Sequence, residues 1–268
     1  MGLHDGVGCF STREPAHSGP RVTLQRRSRS SGRVTIMSTT DVPADGPVWA
    51  IVLAAGSGRR YGPHPKHYEF LGSERVVDRS LAIARAAADH VVIVLASGEE
   101  AEGARLVESG AADVAVEGGE ERSDSVRAAL GVIDDDAAVI VVHDAARPLA
   151  TAELHQAVVA VIHGGADAAI PAIPVTDTIK RVTHDEHGNL VASATLDRSE
   201  LMAVQTPQAF RADVLRAAHA LGDSATDDAA LVEQTGGRVV IVAGEATNIK
   251  ITGPTDLAVA IVLLGTLG

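Results

Sequence analysis

Apolar residues along this chain fall into short runs separated by stretches with helical spacing. Residues 48–53, 90–95, 113–117, 138–143 and 167–172 are strand-length runs rich in Val, Ile and Ala. Between them, residues 76–88, 99–108, 123–133 and 151–163 repeat apolar positions at intervals of three and four, the spacing of amphipathic helices. Runs that are apolar at every position predict strands covered on both faces. The βαβα alternation therefore predicts an α/β fold, a Rossmann-like, mostly parallel sheet with helices on both faces. Such sheets bind ligands beyond the carboxyl ends of their strands. The segments directly after residues 53 and 143 thus carry the most weight.

The rhythm breaks after residue 172. Residues 173–204 hold two β-prone, Pro-bounded stretches around a polar turn at 184–189, which predicts a projecting β-arm rather than another βα unit. Helical spacing returns at 212–221 and 227–234, a strand is expected at 239–242, and a last helix at 255–264 follows Pro254. No internal repeat is present.

Composition divides the chain in two. Residues 1–37 carry six arginines, no lysine and two acids, a net +4 in a chain of net charge −12. This Ser/Arg-rich start has no periodicity, so residues 1–46 are expected to be a disordered basic tail, an extension upstream of a true start at Met37, or an organelle transit segment. Residues 47–268 are expected to be the folded domain, with the arm at about 173–204. The acidic balance argues against nucleic-acid partners and against anionic membranes. No apolar run reaches the roughly 18 residues of a membrane span. The single cysteine, Cys9, excludes an intramolecular disulfide and a Cys-based metal site, and is in keeping with a cytoplasmic setting.

Candidate chemistry sits after the strands. The first strand runs into Ala54-Ala55-Gly56-Ser57-Gly58-Arg59-Arg60-Tyr61, with Lys66 carried on a segment stiffened by Pro63 and Pro65. Glycines admit a ligand close to the backbone, and the cations suit a polyanion, here a nucleoside triphosphate. Tyr61 replaces the third glycine of a dinucleotide fingerprint, no acid ends the strand at 90–95, and no Gly-Lys-Ser/Thr follows, which removes the NAD and P-loop readings. Ordinary solvated cations on a loop are the alternative. In His143-Asp144-Ala145-Ala146-Arg147-Pro148, an acid at a strand end suits Mg2+ coordination or, alternatively, a helix N-cap. His143 itself fits a packed, hydrogen-bonded histidine. The stretch 117–125, with Gly118, Gly119, Ser123 and Ser125, could read a base edge or simply start a helix. Lys250 alternates with Ile249 and Ile251, as either a ligand-facing amine or a surface residue would.

Taken together, LAAGSGRR with PK, GGEERSDSV, VHDAARP, PVTDTIKR, QTPQAF, TDDAALVE and NIKIT resemble, in order, the 2-C-methyl-D-erythritol 4-phosphate cytidylyltransferases of non-mevalonate isoprenoid synthesis. The resemblance spans residues 48 to about 264. It implies that the backbone of Ala54, Ala55 and Gly56, with Gly119, Glu120, Ser125 and Ala145, holds cytidine. Asp144 would hold Mg2+ (or another divalent cation), and Arg60 and Lys66 would stabilise charge on the α-phosphate. Lys250, a third catalytic cation, would line the methylerythritol phosphate side with Arg147, Thr206 and Thr226. Thr178 and Arg198 would reach from the arm into the other subunit of a homodimer. The implied partners are CTP and a polyol phosphate. Ribitol 5-phosphate is the alternative acceptor, and a non-catalytic nucleotide-binding module the alternative of another class. Leu53, His67, Glu120 and Thr247 depart from residues common in the family.

Overall fold

The first apolar run forms β1 (Val48–Leu53), and its side chains alternate between two cores. Ala50 and Val52 face one, Trp49 and Ile51 the other. The same division holds for the run that becomes β4, so the near-continuous apolar pattern reflects burial on both faces. The structure is a computed structural model and describes residues 46–56, 65–222 and 225–267. Of the tail expected at 1–46, residues 1–45 lie outside the described residues, as do Arg59 and Arg60.

In chain order β1 is followed by a 3-10 turn at Lys66–Tyr68, then β2 (Phe70–Leu71), β3 (Glu74–Arg75), α1 (Val76–Ala87) and β4 (His90–Leu95). Next come α2 (Glu100–Glu108), β5 (Val114–Glu117), α3 (Arg122–Leu130), β6 (Val139–Asp144), α4 (Ala152–His163) and β7 (Ala168–Pro174). The remainder comprises β8 (Lys180–His184), β9 (Leu190–Thr195), β10 (Met202–Val204), β11 (Gln208–Arg211), α5 (Ala212–Ala220), α6 (Asp228–Gln234), β12 (Val239–Ala243) and α7 (Pro254–Leu267).

The main sheet has the order β10-β7-β11-β6-β1-β4-β5, with β12 on the other side of β7. Strands β6, β1, β4 and β5 run parallel, and β12 is parallel to β7, whereas β10 and β11 are antiparallel to their neighbours. Val77, Leu81, Val158 and Ile162 of α1 and α4 fill the core on one face. On the other, α3, α5 and α6 contribute Val126, Leu215 and Val232. The α/β expectation therefore holds, with helices on both faces.

Two features differ from the sequence expectation. The arm is narrower than 173–204: β8 and β9 form a separate two-stranded sheet, while Met202–Val204 pairs with β7 in the main sheet. Phe70–Arg75, with no expected strand, closes as a small hairpin around Gly72 at φ +72. Two-residue strands leave no periodicity to read.

Candidate active site

Two strand ends create the site. Leu53, last of β1, pairs in register with Asp144, last of β6. Beyond them, Ala145 N–H donates to the Leu53 carbonyl at 3.0 Å and Ala54 N–H donates to the Val94 carbonyl at 2.8 Å. The two loops thus leave the sheet side by side. The loop after β5 joins them, Gly118 N–H donating to Leu95 at 2.8 Å. They enclose a cleft of about 740 Å³ whose wall includes Ala54, Ala55, Gly56, Lys66, Asp144 and Lys250. Gly119, Glu120, Ser125 and Ala145 line it too.

Sterics explain the glycines here. A Cβ on Gly118 would sit 2.4 Å from the Ala55 Cβ, and one on Gly119 2.2 Å from the Asp124 Cβ. Their role is close approach of loop to loop and loop to helix. A Cβ on Gly56 would meet no atom of the described residues within 4 Å, and Gly56 lines the cleft. Helix α3 starts under the same wall with a capping box, Glu121 N–H donating to Asp124 Oδ2 at 3.1 Å. Both serines of that start are buried, and of the two only Ser125 lines the cleft.

Asp144 is the electrostatic centre. Its side chain is 12% exposed, with Lys250 Nζ 2.6 Å from Oδ2 and Arg122 Nε 3.6 Å from Oδ1. Burial pushes the carboxyl up, but Lys250 and Arg122 outweigh it and hold the pKa at about 2. The backbone is pinned as well, Asp144 N–H donating to Thr206 Oγ1 at 3.0 Å. Thr206 reaches this position because the chain leaves the sheet between β10 and β11. The N-cap alternative does not hold: the next helix, α4, begins at Ala152 and is capped by Thr151, which accepts from Leu154 N–H at 3.0 Å.

Lys250 gains its place from alternation outside any strand. Ile251 is fully buried and Ile249 packs beside it, turning Lys250 into the cleft. Behind the wall, His143 is fully buried with Nδ1 3.2 Å from Thr206 Oγ1, and its ring lies 4.9 Å from that of His155. It is a packed histidine.

A model of the 2-C-methyl-D-erythritol 4-phosphate cytidylyltransferases matches residues 48–266. The chain belongs to this family. A member from Rhodococcus jostii is 47% identical over 219 residues, covering 80% of this chain and 94% of that one. Among solved structures, a 2-C-methyl-D-erythritol 4-phosphate cytidylyltransferase from Thermus thermophilus has TM-score 0.66 at 32% identity, covering 80% of this chain and 98% of that one. A 4-diphosphocytidyl-2C-methyl-D-erythritol synthase from Anaerococcus prevotii gives 0.70 at 26%, covering 84% and 98%.

Of the residues that the cytidylyltransferase resemblance assigned, those on the nucleotide side gather in the cleft together with Lys250 from the acceptor side, and the other acceptor-side residues do not line it. Arg147 lies behind Lys250 and donates from Nη1 to the Asn248 carbonyl at 2.8 Å. Thr206 is buried with its hydroxyl occupied as above. Thr226 is exposed before α6, and Thr178 and Arg198 are exposed near the ends of the arm hairpin. Arg198 Nη1 donates to the Thr176 carbonyl at 2.6 Å, bracing the two ends of the arm. Arg60 lies outside the described residues. Three polar wall residues among those described received no role from the sequence: His67, Glu121 and Arg122. His67 showed only as a departure from the family. Arg122 lay in view within GGEERSDSV, but its importance depends on a partner 106 residues away.

Proposed function

We propose that this chain transfers the cytidylyl group of CTP to 2-C-methyl-D-erythritol 4-phosphate, giving 4-diphosphocytidyl-2-C-methyl-D-erythritol and pyrophosphate. The observation that carries the reading is the convergence of Lys66, Lys250 and Asp144 with the open backbone of Ala54, Ala55 and Gly56 on one cleft. Backbone from 54–56 and 119–120, with Ser125 and Ala145, is placed to hold cytosine and ribose. Lys66 then faces the α-phosphate of CTP, and Lys250 the phosphate of the acceptor. A phosphate oxygen of the acceptor attacks the α-phosphorus, a new P–O bond forms, and the bond to the β-phosphate oxygen breaks with its electrons leaving on pyrophosphate. The nucleophile is already an anion, so no side chain need remove a proton. Positioning and charge neutralisation by the two lysines supply the catalysis.

Asp144 suits Mg2+. It is an ionised carboxylate on the cleft wall, and among the described residues no cluster of three or more His, Cys, Asp or Glu could cage an ion. A site with one carboxylate, completed by phosphate oxygens and water, is what Mg2+ favours. When bound there, the ion would neutralise polyphosphate charge.

The acceptor side is read as shared between two copies. All five residues of β8 are exposed, as are Leu190 and Val191 of β9, and an isolated two-stranded hairpin is marginal in water. A homodimer covering the arm would bring Thr178 and Arg198 to the partner's cleft, alongside Arg147, Thr206 and Thr226. Arg60 joins Lys66 in the proposed phosphate clamp. Among the described residues no helix is long and apolar enough to cross a membrane. The cytoplasm is where we place the reaction, because its polyanionic substrates do not cross bilayers unaided. Pyrophosphate release, assayed with CTP and each polyol phosphate in turn, tests the reading. Turnover with methylerythritol phosphate and little with ribitol 5-phosphate is expected; the reverse preference would overturn the acceptor assignment.

A further inference from the structure

Among the described residues, Arg122 is a lysine or arginine of the cleft that the proposed chemistry does not use. It opens α3, and its guanidinium bridges two carboxylates on different elements. Nη1 lies 2.6 Å from Asp228 Oδ2, and Nε lies 3.6 Å from Asp144 Oδ1. Asp228, first residue of α6, is 1% exposed and accepts a second contact from His219 Nε2 on α5 at 2.9 Å. Burial pushes the Asp228 carboxyl up, but His219 and Arg122 hold it below the usual range, so it stays ionised. Arg122 is therefore clamped from behind by an anion that does not line the cleft.

Asp144 has two cations of unequal freedom. Lys250 is 41% exposed and sits on an irregular segment, a flexible point charge that can leave for a phosphate. Arg122 is held by α3, α5 and α6 together, and a planar guanidinium can serve two carboxylates at once where an ammonium cannot. We infer that Arg122 is a positioning residue: anchored by Asp228, it keeps the Asp144 carboxylate aimed into the cleft when Lys250 moves to substrate. The inference rests on Asp144 as the metal-binding carboxylate. Arg122 acts through Asp144, and Asp228 acts through Arg122.

The test compares Arg122→Gln, Arg122→Lys, Asp228→Asn and Asp144→Asn in the full chain. Readouts are kcat, KM for CTP, thermal midpoint, and Mn2+ binding with CTP alone, followed by loss of the free-ion electron paramagnetic resonance signal. Residues behind a metal ligand cost about 10–100-fold when lost. Arg122→Gln should lower kcat by that factor while binding Mn2+ as tightly as wild type or more so, since a neighbouring cation is gone. Arg122→Lys keeps the charge but not the bridge and should be equally slow, which carries the test should Arg122→Gln or Asp228→Asn fail to fold. Asp228→Asn should match them without touching the cleft. Wild-type turnover in Arg122→Gln, or rescue by lysine, would overturn the positioning role. So would a parallel fall in Mn2+ affinity, midpoint and kcat. If Asp144→Asn bound Mn2+ like wild type, the metal assignment itself would fall, and the positioning with it. Weak binding in Asp144→Asn beside unaltered turnover in Arg122→Gln would remove the positioning alone.

Discussion

The cleft wall and the arm are built on opposite principles. On the wall, the ends of neighbouring parallel strands from one chain bring Asp144, Ala54 and Gly118 together, and the packing below them is dense. Ile51, Val142 and Ile93 are fully buried, and the loop backbones hydrogen-bond to one another. On the arm, β8 and β9 pair only with each other, and Val182 and Leu190 stand 47% and 63% exposed. A wall of this kind is preorganised by its own fold. The arm carries Thr178 and Arg198 at its base and has little core of its own to hold them. On the proposed reading, the nucleotide half of the chemistry would rest on one chain and the acceptor half on an assembly of chains.

Removing a cation from the wall is the strongest way to test this division. Lys66→Ala should lower kcat by about 10²–10³, roughly 3–4 kcal/mol of lost transition-state stabilisation, with an unchanged thermal midpoint. Near-wild-type turnover would remove Lys66 from the chemistry. The same variant then probes the arm. Paired with an Arg198→Ala chain in purified mixed dimers, it should recover activity approaching half that of wild type, because one of the two composite sites would be whole. Absence of recovery in mixed dimers of verified composition would confine each site to a single chain.

These contrasts follow how visible each part was in the sequence. β1 and β4 begin and end where their apolar runs do, because strands buried on both faces must be apolar throughout. Asp144 and Lys250 could be singled out because a strand end and an alternation are local patterns. β10 and β11 could not: they are short, antiparallel, and separated by Gln205-Thr206-Pro207, so no periodicity runs through them. Thr206 was read as a substrate contact, yet its hydroxyl is taken up by Asp144 N–H and lies near His143. The Arg122–Asp228 pair is tertiary and has no local signature.

Histidines sharpen the comparison by acid. His155 sits 1% exposed behind the wall, its pKa pushed down by burial to about 4, whereas His184 and His187 lie exposed on the arm turn. Between pH 6.5 and 4 the unfolded chain binds a proton at His155 that the native chain does not. Stability therefore falls as pH drops through that window and is unaffected by this group above it. The shift corresponds to on the order of 3 kcal/mol. Urea midpoints against pH should show a shallower acid slope in His155→Gln, with some slope left from His143, which burial also pushes down. An unchanged slope would mean that His155 is not the titrating group.

The smallest expected effect concerns the outside of the wall. Arg75, directly before α1, is held by Asp78 at 2.6 Å and by Glu102 at 2.8 Å, and lies 5.4 Å over the Tyr68 ring. Tyr68 closes the 3-10 turn that begins at Lys66, so this cluster backs the segment that presents the proposed catalytic cation. Hydrogen bonds from Arg105 and Arg75 outweigh burial and lower the Glu102 pKa from 4.5 to about 2. Its contribution is thus complete above pH 4.5 and is lost as pH falls through about 2. Solvent screens the cluster, so Glu102→Gln should cost only about 0.5–1 kcal/mol at neutral pH, less in high salt, and progressively less as pH falls towards about 2. Asp78 still grips Arg75 through two hydrogen bonds in that variant, so Lys66 keeps its support and kcat should stay within about twofold of wild type. A much larger fall in kcat at unchanged stability would show that the wall depends on its surface as well as on the core beneath it.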